Sequence, residues 1–231
     1  MKAVVLASGG LDSTVAAALA KREGHELFFL TVQYGQRHEV EVERALAIGR
    51  ALGVSDHRIV QVDLRSIGGS ALTGDVPVPK GRSAADRAAA IPVTYVPARN
   101  SLFLSLAVGY AETIGARRVY IGANVVDYSG YPDCRPEFLR AFETTARLGT
   151  RAGVEGQGIE ICAPLLHKSK AEIVRLGMAH QAPLHLTHSC YDPAPDGTAC
   201  GRCDSCQIRL AGFEAAGFTD PITYAGREES V

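Results

Sequence analysis

Apolar residues in this chain fall either in short unbroken runs or at intervals of three and four. "KAVVLA" (2–7), "ELFFLTVQY" (26–34), "RIVQVDL" (58–64), "RRVYIGAN" (117–124) and "IEICAPL" (159–165) are runs, and they predict strands. Residues 12–23, 38–53, 100–115, 136–149 and 169–181 show the helical interval. Strands that are apolar on both faces and alternate with helices predict an α/β fold, a doubly wound parallel sheet of about five strands. Ligands in such sheets sit beyond the carboxyl ends of the strands, near the point where the strand order reverses. Two stretches break the pattern. Residues 65–95, with their glycines and prolines, read as a long connection, a mobile flap over the site. From about residue 186 histidine, proline and cysteine replace the alternation, which divides the chain into an α/β unit (1–185) and a C-terminal segment (186–231) packed on it.

Composition narrows the class. Of 231 residues, 46% are hydrophobic and 21% charged, ordinary for a globular chain with a real core. The formal charge of −1 offers no global positive field for nucleic acid or an acidic membrane. No apolar stretch approaches the roughly 18–20 residues that span a bilayer. The apolar part of "MKAVVLASGG" is too short for a signal peptide, so the expected location is cytoplasmic. Six cysteines in a reducing compartment suggest metal binding or catalysis rather than disulfides.

The first strand runs into "ASGGLDST" (7–14). A strand-to-helix turn of small residues lets backbone N–H groups approach an anion, which then rests on the helix N-terminus. Gly9 and Gly10 permit the approach, and Ser8, Ser13 and Thr14 add hydroxyls. Asp12 repels a phosphate unless a cation such as Mg2+ stands between them. The order S-G-G-x-D-S resembles the PP-loop of ATP pyrophosphatases, which implies ATP-binding by Ala7, Ser8, Gly9, Gly10, Leu11, Asp12, Ser13 and Thr14.

Four cysteines cluster near the C-terminus: Cys190, Cys200, Cys203 and Cys206. Four thiolates on a short polar loop suit a closed tetrahedral Zn2+ site that would order the loop. An iron–sulfur cluster suits the same spacing. Cys162 lies within a predicted strand and reads as a small core residue.

"GANVVDYSGYPDCRPEF" (122–138) follows the fourth strand, where a substrate belongs. Its carboxylates can accept from the N–H groups of a purine-like ring, and its tyrosines can cover the flat face. The set "SGGLDST", "YGQRHEVE" (34–41), "VPARN" (96–100), "DYSGYPDCRPEF" and the four-cysteine tail resembles the 7-cyano-7-deazaguanine synthase family from the first strand to Cys206. The family often carries an acidic residue where Ser169 stands and Phe where Tyr128 stands.

The resemblance implies a ligase of queuosine biosynthesis, acting on 7-carboxy-7-deazaguanine and ammonium with ATP, Mg2+ and one structural Zn2+. It implies catalytic roles for Asp12, Ser13, Arg99 and Lys170, the last two neutralising phosphate. It implies that Asp127, Tyr131, Asp133 and Arg135 bind the substrate, with Asp133–Arg135 pairing as the bland alternative. Arg37 and His38 read equally as site residues or as a polar helix start, and Cys134 invites a nucleophile reading that adenylation does not need. A homodimer is a further expectation. Rival readings are a PP-loop enzyme that thiolates tRNA and a module that senses ATP without turnover; the near-neutral charge stands against the first.

Overall fold

The structure is a computed structural model, and it describes residues 1–35, 40–88, 90–126 and 130–226. Five parallel strands form one sheet: β1 (Lys2–Leu6), β2 (Glu26–Gln33), β3 (Asp56–Gln61), β4 (Arg118–Tyr120) and β5 (Glu160–Cys162). Their order is β3-β2-β1-β4-β5, so the direction of winding reverses beside β1. The helices are α1 (Leu11–Arg22), α2 (Val40–Leu52), α3 (Ala84–Ala88), α4 (Arg99–Ile114), α5 (Pro136–Gly149), α6 (Arg151–Val154), α7 (Lys170–Ala179) and α8 (Asp204–Ala216).

The central strands are apolar throughout because both their faces are covered. Val4, Leu6, Phe28 and Leu30 pack on Leu104, Ala107 and Val108 of α4. Ala3, Val5, Leu27 and Phe29 point the other way, onto Ala17 and Ala20 of α1 and Ile48 and Leu52 of α2. Strand alternation thus feeds two cores at once. A third core joins Val32, Leu64, Leu72 and Val96 to the four clustered cysteines and Tyr224.

Three expectations change. The fourth and fifth strands are shorter than their apolar runs, because Ile121–Asn124 leave the ladder to line a cavity. The cysteine-rich tail contains α8, whose start lies inside the cysteine run where helical periodicity is hidden. The connection read as a mobile flap is fastened: Ala71 N donates to Val93 O at 2.8 Å, Lys80 bridges Cys203, and Gly81 N donates to Arg202 O at 3.0 Å. Lys80–Asp192 (2.6 Å) and Arg82–Asp204 ion pairs add two more ties to the tail. Among the described residues no helix is long and apolar enough to cross a membrane.

Candidate active site

A cavity of about 250 Å³ opens at the carboxyl ends of β1, β2 and β4. That is where the winding reverses. One wall is the turn after β1. Gly9 has φ +78°, and a Cβ there would lie 2.3 Å from the Glu41 carbonyl oxygen, so glycine lets the turn nest against α2. Gly10 is the N-cap of α1 and, being glycine, offers no side chain to cap it. Ser13 and Thr14 instead turn their hydroxyls back to the Gly10 carbonyl, at 3.1 and 2.8 Å. Ser8 Oγ lies 3.0 Å from Ser13 Oγ, and Leu11 N donates to Ser189 Oγ at 3.4 Å. The positive end of α1 therefore meets the cavity through Leu11, Asp12 and Ser13, an arrangement suited to an anion.

Lys170 opens α7, which Ser169 caps in a reciprocal capping box with Glu172. An alcohol does this job fully, which accounts for serine at 169. Lys170 Nζ donates to both Asp12 carboxylate oxygens, at 2.6 and 2.8 Å. Its stem lies over Gly212 of α8, where a Cβ would fall 2.2 Å from Lys170 Cγ.

Arg99 opens α4, directly after Ala98, a non-glycine residue with φ +55°. Its guanidinium sits 5.7 Å from the Tyr34 ring centre and donates to Tyr34 Oη at 3.4 Å. Burial works against that charge, but Tyr34, Tyr131 and Tyr191 around it hold the Arg99 pKa above the usual range. Burial pushes the Tyr34 phenol up and lifts the Glu41 carboxyl to about 7 against the pull of Arg99.

The third wall comes from the loop after β4 and from the tail. Tyr131 is buried, its Oη 2.9 Å from Thr94 Oγ1 and 3.5 Å from Tyr191 Oη. His188, Ser189, Cys190 and Tyr191 line the cavity from the tail side. The Sγ atoms of Cys190, Cys200, Cys203 and Cys206 all lie within 4.8 Å of one another. Backbone N–H groups of Cys200 and Cys203 point at the Cys190 and Cys200 sulfurs, at 3.2 and 3.3 Å, as suits thiolates. This cluster can hold a metal ion.

The family model "Queuosine biosynthesis protein QueC" matches residues 2–217. The chain belongs to this family. It is 58% identical over 223 residues to a 7-cyano-7-deazaguanine synthase of Myxococcus xanthus, covering 96% of this chain and 97% of that one. A protein of the same name from Geotalea daltonii is 56% identical over 229 residues, covering 99% and 98%. Among solved structures, a 4-thiouridine synthetase–RNA complex with bound ATP superposes with a TM-score of 0.50 at 23% identity, over 94% of this chain and 53% of that one. That likeness bears on the fold alone.

Of the residues singled out from sequence, the structure gathers Ala7, Ser8, Gly10, Leu11, Asp12, Ser13, Arg99, Tyr131 and Lys170 around one cavity. Asp133 is elsewhere engaged: its carboxylate accepts from Asn100 N at 3.0 Å and so caps α4, while Asn100 Nδ2 donates to the Asp133 carbonyl at 3.0 Å. Arg135 is exposed at the N-cap of α5. The two do not pair among the described residues. Asp127, Tyr128, Arg37 and His38 lie outside the described residues. Burial pushes the Cys134 thiol up to about 11, with Asp133 adding to the effect, so it is no nucleophile at neutral pH. Sequence reasoning missed Tyr34, Glu41, Asn100, Asn124, His188, Ser189 and Tyr191 as site residues. Tyr34, Glu41, Asn100 and Asn124 lie inside motifs already noticed, and His188, Ser189 and Tyr191 lie within two residues of Cys190, so membership of a motif or nearness to one was the available signal.

Proposed function

We propose that this chain is an ATP-dependent carbon–nitrogen ligase that converts 7-carboxy-7-deazaguanine and ammonium to 7-cyano-7-deazaguanine. One observation carries the reading: a helix N-terminus with a glycine N-cap, the Asp12–Lys170 pair and Arg99 share a cavity with a cluster of tyrosines. Family membership and the names of relatives at 56 and 58% identity support it.

A carboxylate resists ammonia because its leaving group would be oxide. Transfer of AMP from ATP gives an acyl adenylate, whose leaving group is a stable phosphate monoester. Ammonia displaces AMP and gives the primary amide. A second ATP adenylylates the amide oxygen, and loss of AMP with nitrogen protons leaves the nitrile. Both rounds expel pyrophosphate, so Ala7–Thr14 serve twice, stabilising the leaving group with backbone dipoles. Mg2+ accompanying ATP would be held by Asp12. Lys170 and Arg99 neutralise phosphate charge. Tyr131 and Tyr191 offer a face to the heterocycle, and Asp127 accepts from its N–H groups. Asp133 acts by positioning Asn100 and the start of α4.

The four thiolates would hold Zn2+. Sulfurs within 4.8 Å suit tetrahedral zinc, whose sulfur–sulfur edge is about 3.8 Å; a four-iron cluster sets its thiolates farther apart. The deciding experiment mixes protein, ATP, Mg2+, ammonium and the carboxylated base. AMP, pyrophosphate and a product of nitrile mass are expected, all dependent on the base. ADP with phosphate, or AMP released regardless of the base, defeats the reading.

A further inference from the structure

We propose that Glu41 is the base that removes protons from nitrogen in this reaction. The inference rests on the ligase reading above. Among the described residues two acidic ones line the cavity, Asp12 and Glu41. Asp12 is held by Lys170 through both oxygens and lies at the anion end. Glu41 stands in the first turn of α2, its own backbone pressed on Gly9 of the anion turn. Its carboxylate has no hydrogen-bond partner among the described residues, and the residue keeps accessible surface. Arg99 and Tyr34 are its charged and titratable neighbours from α4 and from the end of β2. His188 lines the same cavity from the tail. Residues 36–39, just before α2, lie outside the described residues.

Apart from His188, the other titratable groups described in the cavity are poor proton acceptors. Arg99 and Lys170 are cations, and the phenol of Tyr34 and the thiol of Cys134 hold their protons more firmly than usual. Burial lifts the Glu41 carboxyl to about 7. Near neutral pH it therefore both accepts a proton and returns it to solvent between rounds.

In the first round ammonium gives one proton to Glu41. The freed lone pair forms the C–N bond, the C–O bond to AMP breaks with its electrons going to phosphate, and the surplus nitrogen proton leaves with AMP. In the second round the amide oxygen attacks the α-phosphorus of ATP and pyrophosphate departs. The resulting cationic imidate loses one proton to water. Glu41 takes the last nitrogen proton as the C–O bond breaks, the N–H electrons form the third C–N bond and AMP leaves.

Glu41→Gln keeps the volume and removes the basicity. Three rates test it: base-dependent exchange of labelled pyrophosphate into ATP, nitrile formation from the acid, and nitrile formation from the isolated amide. Exchange needs no nitrogen chemistry and is expected to stay within about threefold of wild type, while both nitrile rates fall roughly 100-fold. Glu41→Asp should recover part of the loss. The wild-type nitrile rate should show an acid limb near neutrality that Glu41→Gln lacks. The inference is overturned if exchange falls in step with nitrile formation, if only one round is affected, if the limb persists (which would implicate His188), or if the variant is fully active. A wild-type protein that makes no nitrile sinks the ligase reading instead.

Discussion

Two walls of the same cavity are built on opposite plans. The anion turn at Ala7–Thr14 is shaped by backbone geometry: a left-handed Gly9, a glycine N-cap, and hydroxyls folded back on the Gly10 carbonyl. The wall at His188–Tyr191 has few apolar residues of its own. It is held by the third core, which includes the four cysteines, and by the ties from Lys80, Gly81 and Arg82. The first wall is thus shaped mainly by local chemistry, with His188 N donating to Gly9 O at 2.9 Å as its tie to the tail, whereas the second depends on the cysteine cluster and on a distant segment. Cys190 belongs to both the four-cysteine cluster and the cavity lining, so a metal held there would act on the cavity through order rather than through chemistry.

The largest effect should come from breaking the second wall. Metal binding to four thiolates contributes on the order of 10 kcal/mol to folding of such a segment. Chelation at neutral pH, or Cys203→Ala, is therefore expected to expose both the tail and residues 65–88 to protease. Cleavage confined to the tail would show that the connection does not lean on the metal site.

Breaking the first wall should cost activity more than order. Asp12→Asn is expected to lower AMP release at least about 100-fold, the scale of losing one preorganised electrostatic contact. It also leaves Lys170, buried in α7, without its carboxylate, so Tm should fall as well. An unchanged Tm would show that the pair contributes little to the fold. Gly9→Ala forces a Cβ into the Glu41 carbonyl at an unfavourable φ. A loss of about 2 kcal/mol is expected by chemical denaturation, with KM for ATP rising; a silent variant would mean that α2 shifts at no cost.

A pH effect on stability comes next. The folded Glu41 carboxyl titrates near 7, above its ordinary value of 4.5. Its contribution is present below the ordinary value and is lost as pH rises to about 7, because the unfolded chain ionises first. The folded His57 pKa is lowered by burial, which acts in the opposite sense in an overlapping window. The difference in Tm between wild type and Glu41→Gln cancels that term. It should move in favour of the variant from about pH 5 to about pH 7. The smallest effect is Ser189→Ala, which removes one long bond to Leu11 N and should cost under about 1 kcal/mol. A larger loss would mean that the tail clamps the anion turn.

The helices at 136–149 and around 169–181 were legible because their periodicity, their proline start and their serine cap are local signals. The ends of β4 and β5 were not, because a loop packed into a core is as apolar as a strand. The anion turn and the cysteine spacing were visible as motifs. The capping role of Asp133 was not: its partner Asn100 lies 33 residues away.

By itself the sequence determined a parallel sheet flanked by helices, a phosphate-type turn after the first strand and a four-thiolate cluster, since each is written in contiguous residues or short spacings. Tertiary structure alone decided the strand order, the Asp12–Lys170 pairing across 158 residues, the tethering of residues 65–88 to the tail, and the placement of Glu41 inside the cavity. Those depend on which surfaces are buried against one another, and burial, unlike a motif, belongs to the whole chain.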